Sequence, residues 1–129
     1  MAAKRDDWKT ITLPTARTSI SLDRTYTADE FERICEGNIP QEMEDKWFAF
    51  YEEPWLYLHR SWSGFCIYQV RFERTGIEVH VAEVLVSREA EQYKSKDGVA
   101  DSLLLAVLLD GYAGRDTEPA WERYMTSRR

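Results

Sequence analysis

Between residues 46 and 86 the chain is a series of aromatic and β-branched runs, broken at Glu53-Pro54, Trp62-Ser63-Gly64 and Thr75-Gly76. Such breaks are too short for a parallel crossover, so neighbouring runs must pair antiparallel. The pattern predicts four strands, at 46–52, 55–61, 65–74 and 77–86, joined as a meander. No other feature restricts the fold as strongly, because this one sets both the order and the direction of the strands.

Helical signals flank the series. Thr27-Ala28-Asp29-Glu30 has the form of a capping box, in which the Thr27 hydroxyl accepts from the Glu30 amide and the Glu30 carboxylate reaches back. The helix that follows presents Phe31, Ile34 and Cys35 on one side and stops at Gly37, with Pro40 preventing continuation. After a polar stretch at 87–96, Asp97 or Asp101 starts the strongest helical run, through 102–109, whose apolar residues wrap more than one side. That predicts a helix lying across the sheet and buried on several sides. Gly111 and Gly114 are expected to end it, and 118–127 to form a short final helix packed through Trp121, Tyr124 and Met125. Residues 1–24 mix Trp8, Ile11, Leu13 and Ile20 with polar residues and Pro14, and read as an extended arm able to add a short strand. The sum is one α+β domain over 1–129, with a four-stranded antiparallel sheet against a long apolar helix, a capping-box helix before the sheet, and a C-terminal helix and tail at 115–129.

Charge narrows the partners. Seventeen basic against twenty-three acidic side chains give a formal charge of −6, which opposes nonspecific attraction to nucleic-acid backbones. The basic residues at the ends, Lys4, Arg5, Arg123, Arg128 and Arg129, read as solvated tails. Cys35 and Cys66 resemble small buried hydrophobes. A disulfide between them stays open, but no stretch resembles a secretory signal, so a reducing cytoplasm is the expectation. The longest apolar run, 99–109, contains Asp101 and Ser102 and is too short to span a bilayer.

Strand alternation places Trp47, Ala49 and Tyr51 opposite Phe48 and Phe50, and Leu56, Leu58 and Arg60 opposite Tyr57, His59 and Ser61. The expectation is one aliphatic and phenyl-rich face toward the helix and a second face bearing Trp47, Tyr51, Tyr57, His59 and Ser61. Flat rings with polar tips suit a ligand that stacks and hydrogen-bonds. Cross-strand aromatic packing beneath the arm explains the same residues, and both readings stand at this stage. The hexapeptide His59-Arg60-Ser61-Trp62-Ser63-Gly64 adds an anion-binding set: Arg60 to hold a phosphate or carboxylate, Ser61 or Ser63 to hydrogen-bond, and Gly64 to let backbone approach closely. Pairing of Arg60 with Asp45 or Glu52 is the plainer alternative. His59 and Arg60 point to opposite sides of a regular strand, so a shared ligand requires a bulge near 61–64.

The candidate ligand-binding residues are therefore Asp45, Trp47, Tyr57, His59, Arg60, Ser61, Trp62 and Ser63. No metal is expected, since His59, His80, Cys35 and Cys66 are scattered without ligand spacing. No G-x-S-x-G elbow is present, and Gly111-Tyr112-Ala113-Gly114 follows a helix where a phosphate loop would precede one. The favoured function is an accessory module binding a small anionic, nucleotide-like ligand or a partner protein. Two alternatives are an enzyme acting on a phosphorylated or ADP-ribosylated substrate, with His59 as base oriented by Asp45 or Glu52, and an antitoxin- or immunity-type module whose acidic surface covers a basic partner.

Gly37-Asn38-Ile39-Pro40, Glu44-Asp45-Lys46-Trp47-Phe48 and His59-Arg60-Ser61-Trp62-Ser63-Gly64-Phe65-Cys66-Ile67-Tyr68, with Val86-Ser87-Arg88-Glu89 and Glu91-Gln92-Tyr93, resemble a family of small bacterial proteins of unassigned activity. The resemblance covers 27–109 and implies no catalytic residue or cofactor. It also implies company with ADP-ribose-processing domains, which suits a phosphate site centred on Arg60.

Overall fold

Antiparallel pairing extends further than the four central runs. The computed structural model describes residues 2–127, and in it six strands form one antiparallel sheet. In chain order they are β1 (Arg17–Ile20), β2 (Thr25–Thr27), β3 (Trp47–Glu52), β4 (Trp55–Arg60), β5 (Cys66–Thr75) and β6 (Glu78–Ser87). The meander β3-β4-β5-β6 lies close to its expected boundaries. The four-strand expectation is corrected at its far edge, where β1 and β2 both pair with β6, at opposite ends of that ten-residue strand. The N-terminal region is thus partly sheet, preceded by a short turn of 3-10 helix at Arg5–Asp7.

Three α-helices complete the described fold: α1 (Ala28–Glu36), α2 (Gly98–Ala113) and α3 (Glu118–Ser127). Thr27 and Glu30 form the capping box of α1, and Glu30 also takes two hydrogen bonds from Arg115, which hold its carboxyl down to about 2. At the other end, Gly37 has φ 71°, and a Cβ there would lie 2.2 Å from the Ala49 carbonyl oxygen. No larger residue fits that close pass between α1 and β3. Asp97 caps α2 by accepting from the Val99 and Ala100 amides. The helix runs past Gly111, against expectation, and ends at Gly114 with φ 85°. Glycine inside a helix is only mildly unfavourable, so Gly111 alone is a weak stop.

The sheet has two unequal covers. On one face, Phe31 and Ile34 of α1 and Leu105, Leu109 and Ala113 of α2 close over Trp47, Ala49, Leu56, Leu58, Tyr68, Val70 and Val84. On the other, Phe48 and Phe50 are packed against Ala3, Trp8, Ile39 and Tyr57. The face assignment made from alternation therefore needs correcting. The two-residue turn pairs Glu52 with Trp55, which sets Trp47 beside Arg60, Ala49 beside Leu58 and Phe50 beside Tyr57. Phe48 and Phe50 thus share a side with Tyr57 and His59, while Trp47 and Tyr51 lie on the helix side.

Charges buried between the layers are paired. Asp101 on α2 accepts from Arg88 at 2.7 Å, Tyr93 at 2.5 Å and Tyr68 at 3.3 Å. This set ties the loop after β6 to the helix. Asp110 takes the Tyr26 hydroxyl at 2.8 Å and faces Arg24 at 3.3 Å. Removing one partner of either set would strand a buried charge, the costly way to break such a pair. No described helix is long and apolar enough to cross a membrane.

Candidate functional site

His59 and Arg60 end β4 and point to opposite sides. His59 is 1% exposed, its ring stacked on Phe50 at 5.6 Å and near Phe48 at 6.4 Å. Its Nδ1 lies 2.8 Å from the Gly64 carbonyl oxygen, a geometry that makes Nδ1–H the donor. Nε2 is buried with no hydrogen-bond partner among the described residues. Burial pushes the His59 pKa below its usual value, and the nearby Arg5 cation acts in the same direction.

The N-terminal arm makes this enclosure. Trp8 donates its indole N–H to the Ser61 carbonyl at 2.7 Å, and Arg5 pairs with Glu52 at 2.7 Å while its guanidinium lies over Phe50 and Tyr57. Ile11 exchanges backbone hydrogen bonds with Gly64 and Cys66. Gly64 does permit a close approach, as expected, but what approaches is Lys9. The ring-bearing face around Tyr57 and His59 is roofed by the chain itself.

Neither carboxylate expected to orient His59 does so. Glu52 is engaged by Arg5, and the Asp45 side chain accepts from the Gln41 amide at 2.8 Å. The same two facts leave Arg60 without either expected ion-pair partner. The register shift in the β4–β5 pairing, between Leu58 and His59, leaves His59 and Arg60 on opposite sides. They do not converge on one ligand.

Arg60 has a different setting. Its half-buried guanidinium lies 4.7 Å from the Trp47 ring centroid and 5.9 Å from that of Tyr93. These rings are themselves held: Trp47 stacks on Tyr68 at 5.7 Å, and the Tyr68 and Tyr93 hydroxyls meet at 3.0 Å above Asp101. Burial and the Asp101 carboxylate push Tyr93 up to about 12, so both phenols remain neutral donors. The result is a cation supported from beneath by aromatic faces, with no carboxylate or carbonyl bonded to its guanidinium among the described residues.

Two hollows meet at Arg60. A cleft of about 680 Å³ runs between the β3–β4 rim and the helices α2 and α3, lined among others by Lys46, Trp47, Leu108, Tyr112, Trp121 and Met125. A smaller hollow of about 310 Å³ is lined by Met43, Lys46, Arg60, Ser61 and Trp62. Trp62 is 67% exposed, its indole N–H on the Met43 carbonyl at 3.2 Å. That bond holds one edge of the ring and leaves its body in solvent.

Of the eight expected residues, Asp45, Trp47, Arg60, Ser61 and Trp62 line these two hollows, while Tyr57, His59 and Ser63 do not. The Ser61 hydroxyl is already committed to the Asp45 carbonyl at 2.7 Å, and the Ser63 hydroxyl accepts the Phe65 amide within the turn. Missed in the sequence were Lys46, Asn38, Tyr112 and the α3 trio Trp121, Tyr124 and Met125. Their signal was present in part: α2 is apolar all round, so a second covered flank had to exist, and the α3 trio shares one side by helical spacing.

Compared with family models, curated proteins and solved structures, the chain matches none.

Proposed function

We propose that this protein is a binding module that takes a small anionic, nucleotide-like ligand in the cleft beside Arg60. One observation carries the proposal: Arg5, Arg24, Arg71, Arg88 and Arg115 each face a carboxylate, whereas the guanidinium of Arg60 faces aromatic rings and open space; Arg74, over Phe31, also has no ion pair among the described residues, but its hollow is lined by Glu32, Glu36, Glu53 and Glu73, which disfavour an anion there. A guanidinium stacked on a ring keeps its N–H edge available for a carboxylate or phosphate. Lys46 lines both hollows and adds a second positive charge, and Trp62 and Trp121 offer rings for stacking. Glu44 and Asp45 also line the cleft, which favours one anionic group over a long phosphate chain.

The test is calorimetric titration with a nucleoside monophosphate and with phenyl phosphate. Arg60→Ala is expected to weaken binding more than tenfold with an almost unchanged melting temperature, and Trp62→Ala to weaken it about tenfold, as loss of one stacking ring does. Undiminished affinity in Arg60→Ala would remove the basis of the proposal.

A further inference from the structure

A further hollow, of about 520 Å³, lies at the opposite end of β4 from Arg60, between α1, the Glu53-Pro54 turn and the far end of β5. Four glutamates line it: Glu32 and Glu36 from α1, Glu53 from the turn and Glu73 from β5. Glu73 is taken by Arg71, but Glu32, Glu36 and Glu53 form no ion pair among the described residues. The one cation among the lining residues is Arg74, itself without an ion pair. Three unpaired carboxylates around one guanidinium leave the hollow negative. Cys35, on its wall, lies in that field: burial pushes the thiol up to about 11, Arg74 opposes the rise, and Glu36, Glu32 and Glu53 add to it.

The floor beneath these charges is apolar. Phe31 meets Tyr51 edge-on at 5.5 Å and Phe72 at 5.0 Å, and half-buried Tyr51 and exposed Pro54 supply the accessible apolar surface. The Arg74 guanidinium lies 5.5 Å from the Phe31 ring centroid, so a cation already settles on this floor with no carboxylate bonded to it.

Shape and charge together select an occupant. A compact metal ion needs oxygen ligands that converge, and no three His, Cys, Asp or Glu side chains among the described residues do so. Glu32 and Glu36 stand one helical turn apart, about 5–6 Å between Cβ atoms, and Glu53 belongs to a different element. Carboxylates spread around an apolar floor suit a cation whose charges are likewise spread along an apolar chain. Such a chain lays its methylenes on the floor and keeps its ammonium groups at the rim, as a lysine stem does on a protein surface. The volume is that of a small-molecule pocket.

We propose that this hollow binds a linear polyamine, with ammonium groups at Glu32, Glu36 and Glu53 and methylene segments against Tyr51 and Pro54. The site is separate from the Arg60 cleft and does not rest on the anion-binding proposal.

The test is calorimetric titration of the full chain with spermidine at physiological ionic strength. Glu32→Gln combined with Glu53→Gln is expected to weaken binding by about tenfold or more. Glu42→Gln combined with Glu122→Gln, the same charge change at residues outside the hollow, is expected to leave affinity unchanged. Arg74→Ala removes the competing guanidinium and is expected to strengthen binding several-fold, which Arg123→Ala does not. Equal losses in the two glutamine pairs would reduce the effect to net charge and overturn the proposal. Displacement of spermidine by an equal concentration of magnesium ion would overturn it in favour of a simple cation site. Tighter binding of acetyl-trilysine amide, which carries the same charge on a peptide, would overturn it in favour of a basic protein partner. Absence of spermidine binding would leave the hollow without this role.

Discussion

His59 and Arg60 are adjacent in the chain and opposite in circumstance. The histidine is closed in by Trp8, Phe48 and Phe50 beneath the N-terminal arm, and one ring nitrogen is held by Gly64. The arginine stands at the mouth of a cleft on two supported rings, with its N–H edge unengaged. Chemical potential read from residue type is equal for the two, and surroundings decide between them. The arm face is a second, small core, and the Arg60 rim is where a ligand can reach.

Substitutions on the two sides should therefore differ in kind, and the largest difference lies in stability. Phe50→Ala opens a cavity under Tyr57 and His59 and is expected to lower unfolding free energy by about 3–5 kcal/mol in a urea titration. Trp62→Ala, at an exposed ring, is expected to change it by about 0.5 kcal/mol or less. Similar costs at both sites would erase the distinction.

Loosening the arm should come next in size. Trp8→Ala removes the indole bond to Ser61 and the contact with Phe48, for an expected loss of about 2 kcal/mol. Hydrogen exchange at the Ile11 amide, bonded to Gly64, should accelerate alongside. An unchanged exchange rate would mean that the arm docks without Trp8.

Acid provides a subtler probe of the closed side. The folded-state pKa of His59 lies below its ordinary value of 6.5, so the unfolded chain binds the extra proton more readily. The stability this confers is complete above about pH 6.5 and is lost as pH falls through the folded value. His59→Gln should flatten that part of the pH–stability curve. A slope preserved in the variant would place the titrating group elsewhere.

Arg60→Ala is likewise a small change in stability, expected to cost about 1 kcal/mol or less from its stacking on Trp47. Its effect belongs to ligand affinity. A loss of several kcal/mol would make Arg60 part of the scaffold.

Much of the fold was legible because turns announce themselves. Glu53-Pro54 and Thr75-Gly76 bounded strands whose observed ends fall within a residue or two of expectation, and Thr27 with Glu30 marked the start of α1. The face pairing was equally available, since a two-residue turn dictates that Glu52 meets Trp55, yet alternation taken strand by strand loses that registration. β1 and β2 were harder. Strands of four and three residues carry little pattern of their own, and their pairing depends on a β6 long enough to take both end to end. In the site, Arg60 and Trp62 were visible as chemistry-bearing residues near a turn. Tyr112 was not, because its place in the cleft is a property of tertiary packing between α2 and the β3 rim.

The most direct measurement is a backbone and indole ¹H–¹⁵N shift map during titration with uridine monophosphate. The expected result is a set of perturbations confined to Lys46, Arg60, the Trp62 and Trp121 indoles and Tyr112. Perturbations centred on Trp8, Phe48 and His59, or none at any residue, would contradict a ligand site on the Arg60 side of the sheet.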